Sequence, residues 1–418
     1  MSVLVLFISL AVFGAGIWLK RLNLNHLRIY GKTVPPGFEG TIDPTLLERI
    51  TRYTFETSRL GTIESAVNMS LFLVFLFGGG IDLYDRWIGT LAGPLPARAI
   101  LFFVVLQLTL VMIDVPFSLY KNFIVEKRHG FNTMTFRIWL ADLVKSLIVS
   151  LILTSIVLLA AFAIMQSSPR WWWLWVWLFL LAFGVFLMYL SPVVIEPLFF
   201  KFEPLSIAGL EDRIRTLMDR AGIRIGRVFQ VDASRRSRHS NAYFTGIGRV
   251  KRIVLFDTLL GQMGPDEVLA VLAHEAGHWK KRHVLKRMLV SEAGACIGLF
   301  IASLLLEGEG LSRLVGAGQL SLPAKVLVLG FLGSLVLFPI TPVMNYFSRR
   351  DEREADRFAA QMTGDPASMA SALVKLSREN LSNLHPHPLY AAFYYSHPPV
   401  VERVGSLREQ IADGQTAD

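Results

Sequence analysis

The chain alternates long apolar runs with short, charge-rich connections. A helix needs about 20 mainly apolar residues, within a range of roughly 17 to 25, to cross a bilayer. Runs near this length cover residues 3–19, 66–81, 100–119, 143–165, 172–190, 288–306 and 326–343. The second run is the weakest, because it is short and ends in Gly78, Gly79 and Gly80. The pattern predicts seven transmembrane helices.

The first apolar run has two interpretations, a cleaved signal peptide or a retained helix. Only Met1 and Ser2 precede it, so it lacks the basic segment that opens a signal peptide. Lys20 and Arg21 follow it, where a cleavage site would carry small residues. These neighbours favour a retained transmembrane helix.

The composition agrees with a protein that crosses a membrane many times. Hydrophobic residues make up 53% of the 418 positions, which is too many for a set of soluble domains. The net charge is +9, but the basic residues cluster beside apolar runs, where they orient helices and meet anionic lipid. Nucleic-acid binding is therefore not expected. Cys296 is the only cysteine, which excludes an intrachain disulfide.

The charge of the short loops predicts the orientation in the membrane. The first and third loops carry eleven Lys and Arg residues, whereas the loops of the other side carry five. Basic loops stay in the cytoplasm, so the N-terminus is expected outside and, after seven crossings, the C-terminus inside. Five tryptophans within residues 171–177 are typical of an aromatic belt at the outer interface.

Three ionisable residues, Asp114, Lys145 and Glu292, fall within the apolar helices or near their ends. A charge inside the bilayer is costly, so each should face a partner or a watery interior. Two interpretations remain open. Either the helices enclose a polar cavity, or Lys145 extends its charge to the interface while Asp114 pairs with a neighbouring helix.

The longest stretch outside the membrane covers residues 201–287, and its pattern predicts a small α/β region. Residues 211–221 have helical apolar spacing, and 228–231 and 251–256 are typical of short strands. Residues 241–244 are a further strand candidate, bounded by polar residues and by Gly246 and Gly248. The strands predict either a sheet edge that an extended peptide can join or an ordinary hairpin.

Residues 272–279 contain the sequence H-E-x-x-H on a predicted helix that starts near Pro265. On a helix, His274 and His278 project from one face one turn apart, so their imidazoles can converge on one cation, with Glu275 beside them. Neutral imidazoles suit Zn²⁺, and a nearby carboxylate can take a proton from water. The alternative is a chance cluster on a solvated helix. The basic residues that follow, 280–287, place the motif at a membrane edge.

A second candidate cluster follows the last apolar run. Glu352 and Asp356 are four residues apart on a predicted helix, so one can bind the metal while the other orients a ligand histidine. The alternative is a pair of salt-bridging surface residues. His283, His385 and His387 are the remaining histidines considered for a role, and they are expected on the surface or in loops.

The motif at 274–278, followed at 345–356 by N-x-x-S-R-x-x-E-x-x-A-D, resembles the CAAX prenyl protease type 1 family, the Ste24-like membrane branch of the M48 zinc metallopeptidases. Further blocks resemble the family in the same order along the chain. These blocks are residues 126–132, 197–205, 239–244, 253–260 and 396–399. The resemblance extends over most of the chain.

By this resemblance His274, His278 and Glu352 bind one Zn²⁺ ion, and Glu275 is the general base and acid. Asp356 orients a ligand histidine from behind. The family removes the C-terminal tripeptide of prenylated CAAX proteins, so the resemblance implies an attack by zinc-activated water on a peptide bond. The expected partners are a peptide or protein substrate, C-terminally prenylated in this family, and membrane lipid.

The resemblance also implies residues that contact the substrate. His397 stabilises the oxyanion, and Arg403 supports it or binds the substrate. Asn241, Ala242 and Tyr243 align the peptide as an added strand.

The implied fold is an all-α polytopic membrane protein, with seven transmembrane helices around a chamber and a small α/β zinc-metalloprotease region on the cytoplasmic side. The expected units are a membrane domain at 1–200, the α/β region with the zinc helix at 201–287, two transmembrane helices at 288–345 and a C-terminal helical region with the third zinc ligand at 346–418. Residues 415–418 carry no endoplasmic-reticulum retrieval signal. A bacterial inner membrane is therefore favoured over the endoplasmic reticulum.

Three alternatives differ in fold or chemistry. An HtpX-like quality-control protease has the same site, without a prenylated substrate, but fewer spans. A site-2-type intramembrane protease would carry the motif deep within a span, whereas here a basic segment follows it. A transporter or receptor with a structural metal would need a fourth ligand, and no cysteine or spare histidine is placed to supply one.

Overall fold

The computed structural model describes residues 1–91, 93–245 and 251–415. The first helices are α1 (Ser2–Tyr30), α2 (Pro44–Phe77), α3 (Gly80–Gly89), α4 (Leu95–Tyr120), α5 (Phe136–Ser167), α6 (Trp172–Leu190), α7 (Glu196–Phe199) and α8 (Leu210–Arg220). They are followed by α9 (Asp257–Gln262), α10 (Pro265–Lys280), α11 (His283–Leu305), α12 (Gly310–Val315), α13 (Leu322–Leu337), α14 (Thr341–Thr363), α15 (Pro366–Glu379), α16 (Pro388–Tyr394) and α17 (Val400–Gln415). The strands are β1 (Phe202–Pro204), β2 (Ile225–Val231), β3 (Ala242–Thr245) and β4 (Lys251–Phe256).

In the described ranges, seven helical spans are long and apolar enough to cross a membrane, which confirms the predicted number. Several extend well beyond the predicted runs. The span that contains α4 continues through a π-helical segment to Glu126, and α13 continues through a short 3-10 turn into α14, which ends at Thr363. Hydropathy detects only the part of a helix that lies in lipid, so it misses such polar extensions.

The polar start of α2 illustrates how an extension is built. Asp43 precedes the helix, and its side chain accepts a hydrogen bond of 2.7 Å from the amide of Leu46. Pro44 occupies the first helical position, where its missing N–H costs nothing. With these signals α2 begins at Pro44, well before the apolar run at 66–81 from which it was predicted.

The membrane helices form a wall in which each helix packs mainly on its neighbours. α1 packs on α2, α2 on α4, α4 on α5, α5 on α6 and α6 on α11, while α13 contacts α1 and α4. Between 6% and 17% of the residues in the apolar window of each span are buried. Large exposed apolar surfaces of this kind are typical of contact with a membrane.

At one end of the wall, the short helices α3 and α12 cover the helix ends. Ile81, Ile88, Leu311 and Val315 are buried in one apolar cluster there. Asp85 accepts a hydrogen bond of 2.7 Å from the amide of Ser321. This end cap was not predicted from the sequence, because both helices are too short for a periodicity argument.

The opposite end carries the α/β region. Its sheet has the order β1-β2-β4-β3, with β2 and β4 parallel and β3 antiparallel to β4. The predicted helix and strands at 211–221, 228–231, 241–244 and 251–256 are confirmed within a few residues, as α8, β2, β3 and β4. Gly246 and Gly248 lie outside the described residues.

The register of the sheet leaves β3 at an edge. Tyr243 is opposite Val254, and Phe244 is opposite Ile253, so β3 forms a hairpin with β4 on one side. Within the described residues, no strand pairs with its other side. The fold is therefore compatible with both predictions for this strand, an ordinary hairpin and an edge that an extended peptide can join. In the hairpin, one side of β3 has no partner among the described strands.

Helix α10 lies in the core of the α/β region. Leu272, Ala273 and Ala276 on this helix are buried in one cluster with residues of α8, β4 and α9. Ala359 of α14 and Ala372 of α15 complete that cluster. The zinc motif is therefore on a helix, as predicted. Residues of the α/β region and of the C-terminal helices α14 and α15 pack against that helix.

Two of the three ionisable residues named above, Asp114 and Lys145, have partners in the structure. Asp114 accepts a hydrogen bond of 3.1 Å from Asn68, on the neighbouring α2. The ammonium group of Lys145 donates to the carbonyl oxygen of Leu198 at 2.8 Å and lies over the ring of Phe199. The bond of Asp114 favours the interpretation in which it pairs with a neighbouring helix, and the bond of Lys145 places its charge beside α7, at the end of the fifth span.

Candidate metal centre

The two histidines of the motif and Glu352 form one cluster of metal-binding atoms. Their ligand atoms all lie within 4.8 Å of one another. His274 Nε2 is 3.2 Å from Glu352 Oε2, and His278 Nε2 is 3.3 Å from Glu352 Oε1. The two Nε2 atoms are themselves 3.2 Å apart. The structure thus brings together the three residues that the sequence analysis proposed as ligands.

The chemistry of this cluster fits a zinc ion. Two imidazole nitrogens and one carboxylate are ligands that Zn²⁺ takes in catalytic sites, where a fourth position stays open for water or substrate. Glu352 is 3% exposed, and its Oε2 atom makes no hydrogen bond of good geometry. A buried carboxylate oxygen without such a bond is costly unless a cation satisfies it.

A close contact between two helices makes this convergence possible. A β-carbon added to Gly277 would lie 3.1 Å from the Cα atom and 3.3 Å from the carbonyl oxygen of Ala355. Both are backbone atoms, so a side chain at this position would push α14 away from α10. The glycine inside the motif therefore lets Glu352 on α14 reach the two histidines on α10.

Asp356 supports His274 from the side opposite the ligand atom. Its Oδ1 atom is 2.8 Å from His274 Nδ1, and both side chains are buried. Burial alone would lower the pKa of His274, but the hydrogen bond to Asp356 and the nearby carboxylate of Glu352 outweigh it and raise the pKa to about 9. The bond at Nδ1 directs the lone pair of Nε2 towards Glu352 and His278.

Arg403 contacts the same carboxylate. It donates two hydrogen bonds to Asp356, of 2.8 Å from Nε and 2.6 Å from Nη2. Burial would lower the pKa of Arg403, but these bonds to Asp356 raise it. The contacts give Arg403 a role in holding Asp356, while its expected support of His397 or of the substrate stays a prediction.

His283 is not a surface or loop residue, contrary to the sequence-based expectation. It is 1% exposed, and its Nδ1 atom is 3.0 Å from Nδ1 of His278. Arg282 just before it has φ 58°, in the left-handed region, so the chain turns sharply between α10 and α11. Sequence spacing could not reveal this turn, because a left-handed residue is usually glycine.

Two further residues of the expected machinery lie at the cluster. Glu275 is partly buried beside the two histidines, and burial raises the pKa of its carboxyl group. His397 lies before α17, with Nε2 3.4 Å from Glu352 Oε1 and a side chain that is 61% exposed. An exposed imidazole next to the cluster is free to contact a bound molecule.

The residues expected to align a peptide lie on and before β3. The hydroxyl of Tyr243 donates a hydrogen bond of 2.7 Å to Glu196 Oε2. The side chain of Asn241 bonds the amide of Ala242 at 2.8 Å. Strand β3, whose outer edge is unpaired among the described strands, contacts α10, the helix that carries the zinc motif.

His385 and His387 are not part of the metal cluster. His385 Nε2 is 2.7 Å from the carbonyl oxygen of Thr33, and His387 caps the start of α16 through the amide of Leu389. Both belong to the packing between the C-terminal helices and the end of α1.

Comparison with known protein families finds two matches, one in each half of the chain. Residues 23–201 match the model of the CAAX prenyl protease N-terminal region with five membrane helices, and residues 204–411 match peptidase family M48. The chain is 30% identical to CAAX prenyl protease 1 of Saccharomyces cerevisiae, over 90% of this chain and 88% of the relative. It is 32% identical to the CAAX prenyl protease 1 homolog of rice, Oryza sativa, over 92% of each chain.

A solved structure is also similar. The crystal structure of S. mikatae Ste24p matches with a TM-score of 0.90 at 28% identity, over 97% of this chain and 98% of that one. The human CAAX prenyl protease 1 homolog is 28% identical, over 94% of this chain and 92% of the relative.

The membrane wall and the cluster of two histidines and a glutamate define a multi-pass integral-membrane zinc metalloendopeptidase. Within that class, the chain belongs to the CAAX prenyl protease type 1 branch of peptidase family M48. Its cofactor is Zn²⁺, and its substrates are peptides or proteins. The relatives named above are eukaryotic, so they do not support the expected preference for a bacterial inner membrane.

Proposed function

We propose that this enzyme cleaves C-terminally prenylated CAAX peptides or proteins at the cytoplasmic face of a membrane. The observation that carries the proposal is the end-to-end similarity to proteins named CAAX prenyl protease 1, which in the rice relative extends over 92% of both chains. The position of the cluster supports it as well, since the cluster lies where α10 leads into the membrane helix α11. A substrate anchored by a lipid would reach a site at that depth.

The metal site in this proposal consists of His274, His278 and Glu352. When bound there, Zn²⁺ supplies a Lewis acid that polarises a carbonyl group and lowers the pKa of water. Asp356 keeps the proton of His274 on Nδ1, so Nε2 offers its lone pair. Arg403 fixes Asp356 through two hydrogen bonds and balances its charge.

Glu275 moves the proton. Its carboxylate accepts a proton from the attacking water and returns it to the leaving amine once the peptide bond breaks. The raised pKa of this buried carboxyl supports the role, because a base works best when its pKa approaches the working pH.

The substrate chain is proposed to lie along the unpaired edge of β3. An extended peptide can pair there through main-chain hydrogen bonds, and Asn241, Ala242 and Tyr243 set its position. The bond from Tyr243 to Glu196 supports this role, because it holds the side chain against the end of the fifth span. His397 then donates a hydrogen bond to the oxygen that becomes negative when water attacks the carbonyl.

The proposal includes an orientation and a division into units. The N-terminus lies outside and the zinc site inside, as the basic loops indicate. Residues 1–200 and 288–345 form the membrane part, 201–287 the region with the zinc helix, and 346–418 the part that supplies Glu352. Membrane lipid is a direct partner of the helix wall, whose apolar windows are largely exposed.

The experiment is cleavage of a farnesylated CAAX peptide beside the same peptide without the farnesyl group. We expect purified full-length protein in liposomes to cleave the farnesylated peptide with a much higher kcat/KM than the peptide without the farnesyl group. The Glu275→Gln variant is the control, since it keeps the shape of the side chain but not the base. We expect it to bind one zinc ion and to lose turnover.

The outcomes distinguish the parts of the proposal. Equal cleavage of both peptides would reject prenyl recognition and favour a quality-control protease that accepts unfolded chains. Full activity of Glu275→Gln would reject the base assignment. No cleavage of either peptide by zinc-loaded protein would reject the proposed substrate class altogether.

A further inference from the structure

His283 is the first residue of α11, and it is folded back onto the metal cluster. The left-handed turn at Arg282 separates α10 from α11, so the ring of His283 meets the ring of His278. The two ring centres are 5.2 Å apart, with an angle of 74° between the planes. His283 is 1% exposed, so its polar atoms must find partners inside the protein.

The hydrogen bonds around His283 form a chain with only one consistent direction. His278 Nε2 faces Glu352 and needs its lone pair for a metal, so its proton is on Nδ1. That Nδ1 atom is 3.0 Å from Nδ1 of His283, which therefore accepts the bond. The proton of His283 is then on Nε2, and these tautomers are assigned from the bonds.

The carboxylate of Glu354 accepts a hydrogen bond from this Nε2 atom, and the carboxylate of Asp351 lies near it. Nε2 of His283 is 3.2 Å from Glu354 Oε2 and 3.7 Å from Asp351 Oδ1. Each acid has a cation of its own, since Lys281 lies 3.1 Å from Glu354 and Arg287 lies 2.9 Å from Asp351. Each acid is thus held in place by its own cation, and the bond to Glu354 holds the His283 ring in one tautomer.

We propose that His283 is a positioning residue for the metal site, which fixes the ring and the tautomer of His278. Asp356 holds His274 through its Nδ1 atom, and His283 holds His278 in the same way. The difference is that the imidazole of His283 stands between His278 and the acids. The inference rests on the proposed ligand set of His274, His278 and Glu352. It also gives Glu354 and Asp351, which are outside the proposed ligand set, a role behind the site.

The test measures zinc affinity directly, by competition with a chelator on the purified full-length protein. Loss of such a supporting partner typically lowers metal affinity about 10- to 100-fold, and we expect this loss for His283→Ala. His283→Asn keeps an acceptor close to the position of Nδ1, so it should recover most of the affinity. The absorption spectrum of the cobalt-loaded protein should shift in His283→Ala and return towards wild type in His283→Asn.

His129→Ala is the matched control. His129 is also buried, at 3% exposed, and its Nε2 atom lies 3.2 Å from Glu56. It belongs to the packing of α2 against the segment after α4. Both alanine variants should lower the melting temperature, but only His283→Ala should lower zinc affinity.

His278→Ala separates this inference from the ligand assignment. If His278→Ala loses zinc while His283→Ala binds it as wild type does, the positioning role is wrong and the ligand set stands. If His278→Ala keeps wild-type affinity, the ligand set itself is wrong. An equal loss in His283→Ala and His129→Ala would reduce His283 to a packing residue.

A double variant covers the case in which His283→Ala does not fold. Glu354 and Asp351 are partly exposed, so Asp351→Ala with Glu354→Ala leaves the core intact. It should weaken zinc binding by a smaller factor than His283→Ala would, because the ring remains but its tautomer is no longer held. Wild-type affinity in this double variant would overturn the proposal.

Discussion

His397 is the residue at the cluster with the most exposed imidazole. Its Nε2 atom lies 3.4 Å from Glu352 Oε1, its side chain is 61% exposed, and its Nδ1 atom is 3.0 Å from the hydroxyl of Ser396. Nε2 therefore faces the cluster from an exposed side chain, as the proposed contact with the carbonyl oxygen of a substrate requires. An additional histidine that binds no metal can donate a hydrogen bond there.

We expect His397→Ala to lower kcat/KM by about 100- to 1,000-fold, the loss typical of one oxyanion donor, without loss of zinc. The measurement is kcat/KM on a CAAX peptide together with the zinc content of the same preparation. His385→Ala is the control, since His385 is bonded to the backbone at Thr33, outside the cluster. Parallel loss of zinc and activity in His397→Ala would indicate a ligand in place of a donor.

At this scale the sequence pointed to the three residues of the metal cluster and to Asp356, but it missed other contacts that support them. Helical spacing dictates which side chains share a face, so it paired His274 with His278 and Glu352 with Asp356. The family resemblance, not the spacing, assigned Glu352 as the third ligand and Asp356 as the residue behind a ligand histidine. His283 and the bond from Arg403 could not be found, because they depend on the turn at Arg282 and on the return of α17 to α14.

At the scale of elements, the start of α10 is tied to α15. Glu267, in the first turn of α10, accepts hydrogen bonds of 2.8 Å from the amide of Gly264, 2.6 Å from Ser371 and 2.7 Å from Lys375. Burial would raise the pKa of Glu267, but the bonds from Lys375, Ser371 and Gly264 outweigh it and hold the pKa below its usual value. The acid therefore fixes the helix that carries both histidines.

We expect Glu267→Gln to lower stability by about 1 to 2 kcal/mol at neutral pH, because the bonds to a charged group are weakened. A lowered pKa stabilises the folded state above the ordinary Glu value, about 4.3, and this stabilisation is lost as the pH falls through the folded-state pKa. Melting temperatures in detergent should thus differ at neutral pH and converge in acid. The control is Glu48→Gln, which removes one partner of an exposed pair with Arg52. It should not change the melting temperature at neutral pH or in acid. A difference that persists in acid would contradict the charge argument.

The bounds of the elements were predictable only where lipid dictates them. The apolar core of each span was located, since hydropathy measures the part of a helix that lies in the bilayer. Helix α14 was expected as a separate stretch, yet it continues the seventh span after a single 3-10 turn, Phe338–Ile340. The strand β1, three residues long, has no periodicity to detect, and its pairing with β2 decides its conformation.

At the scale of the whole molecule, the catalytic region is bound to one end of the helix wall. Arg236 donates to Asp142 at the start of α5, with bonds of 2.7 and 3.1 Å. Tyr53 of α2 donates to Glu126, and His239 reaches the other oxygen of that carboxylate at 3.4 Å. Such bonds tie the α/β region to several helices at once. The order of these helices was predicted, but side-chain bonds across distant loops cannot be derived from periodicity.

Because the catalytic region is bound to one end of the wall, the orientation of the protein decides on which side of the membrane the zinc site lies. The basic first and third loops and the zinc cluster share one end of the wall, while α3, α12 and the start of α1 meet at the other. If positive charge keeps those loops in the cytoplasm, the zinc site must be cytoplasmic as well. In sealed membrane vesicles of known orientation, a tag at the C-terminus should be cleaved by protease from the cytoplasmic side only, and a tag at the N-terminus from the opposite side only. Glu275→Gln, which does not change the loops, should give the same pattern. Cleavage of both tags from one side would require an even number of crossings and would contradict the seven spans.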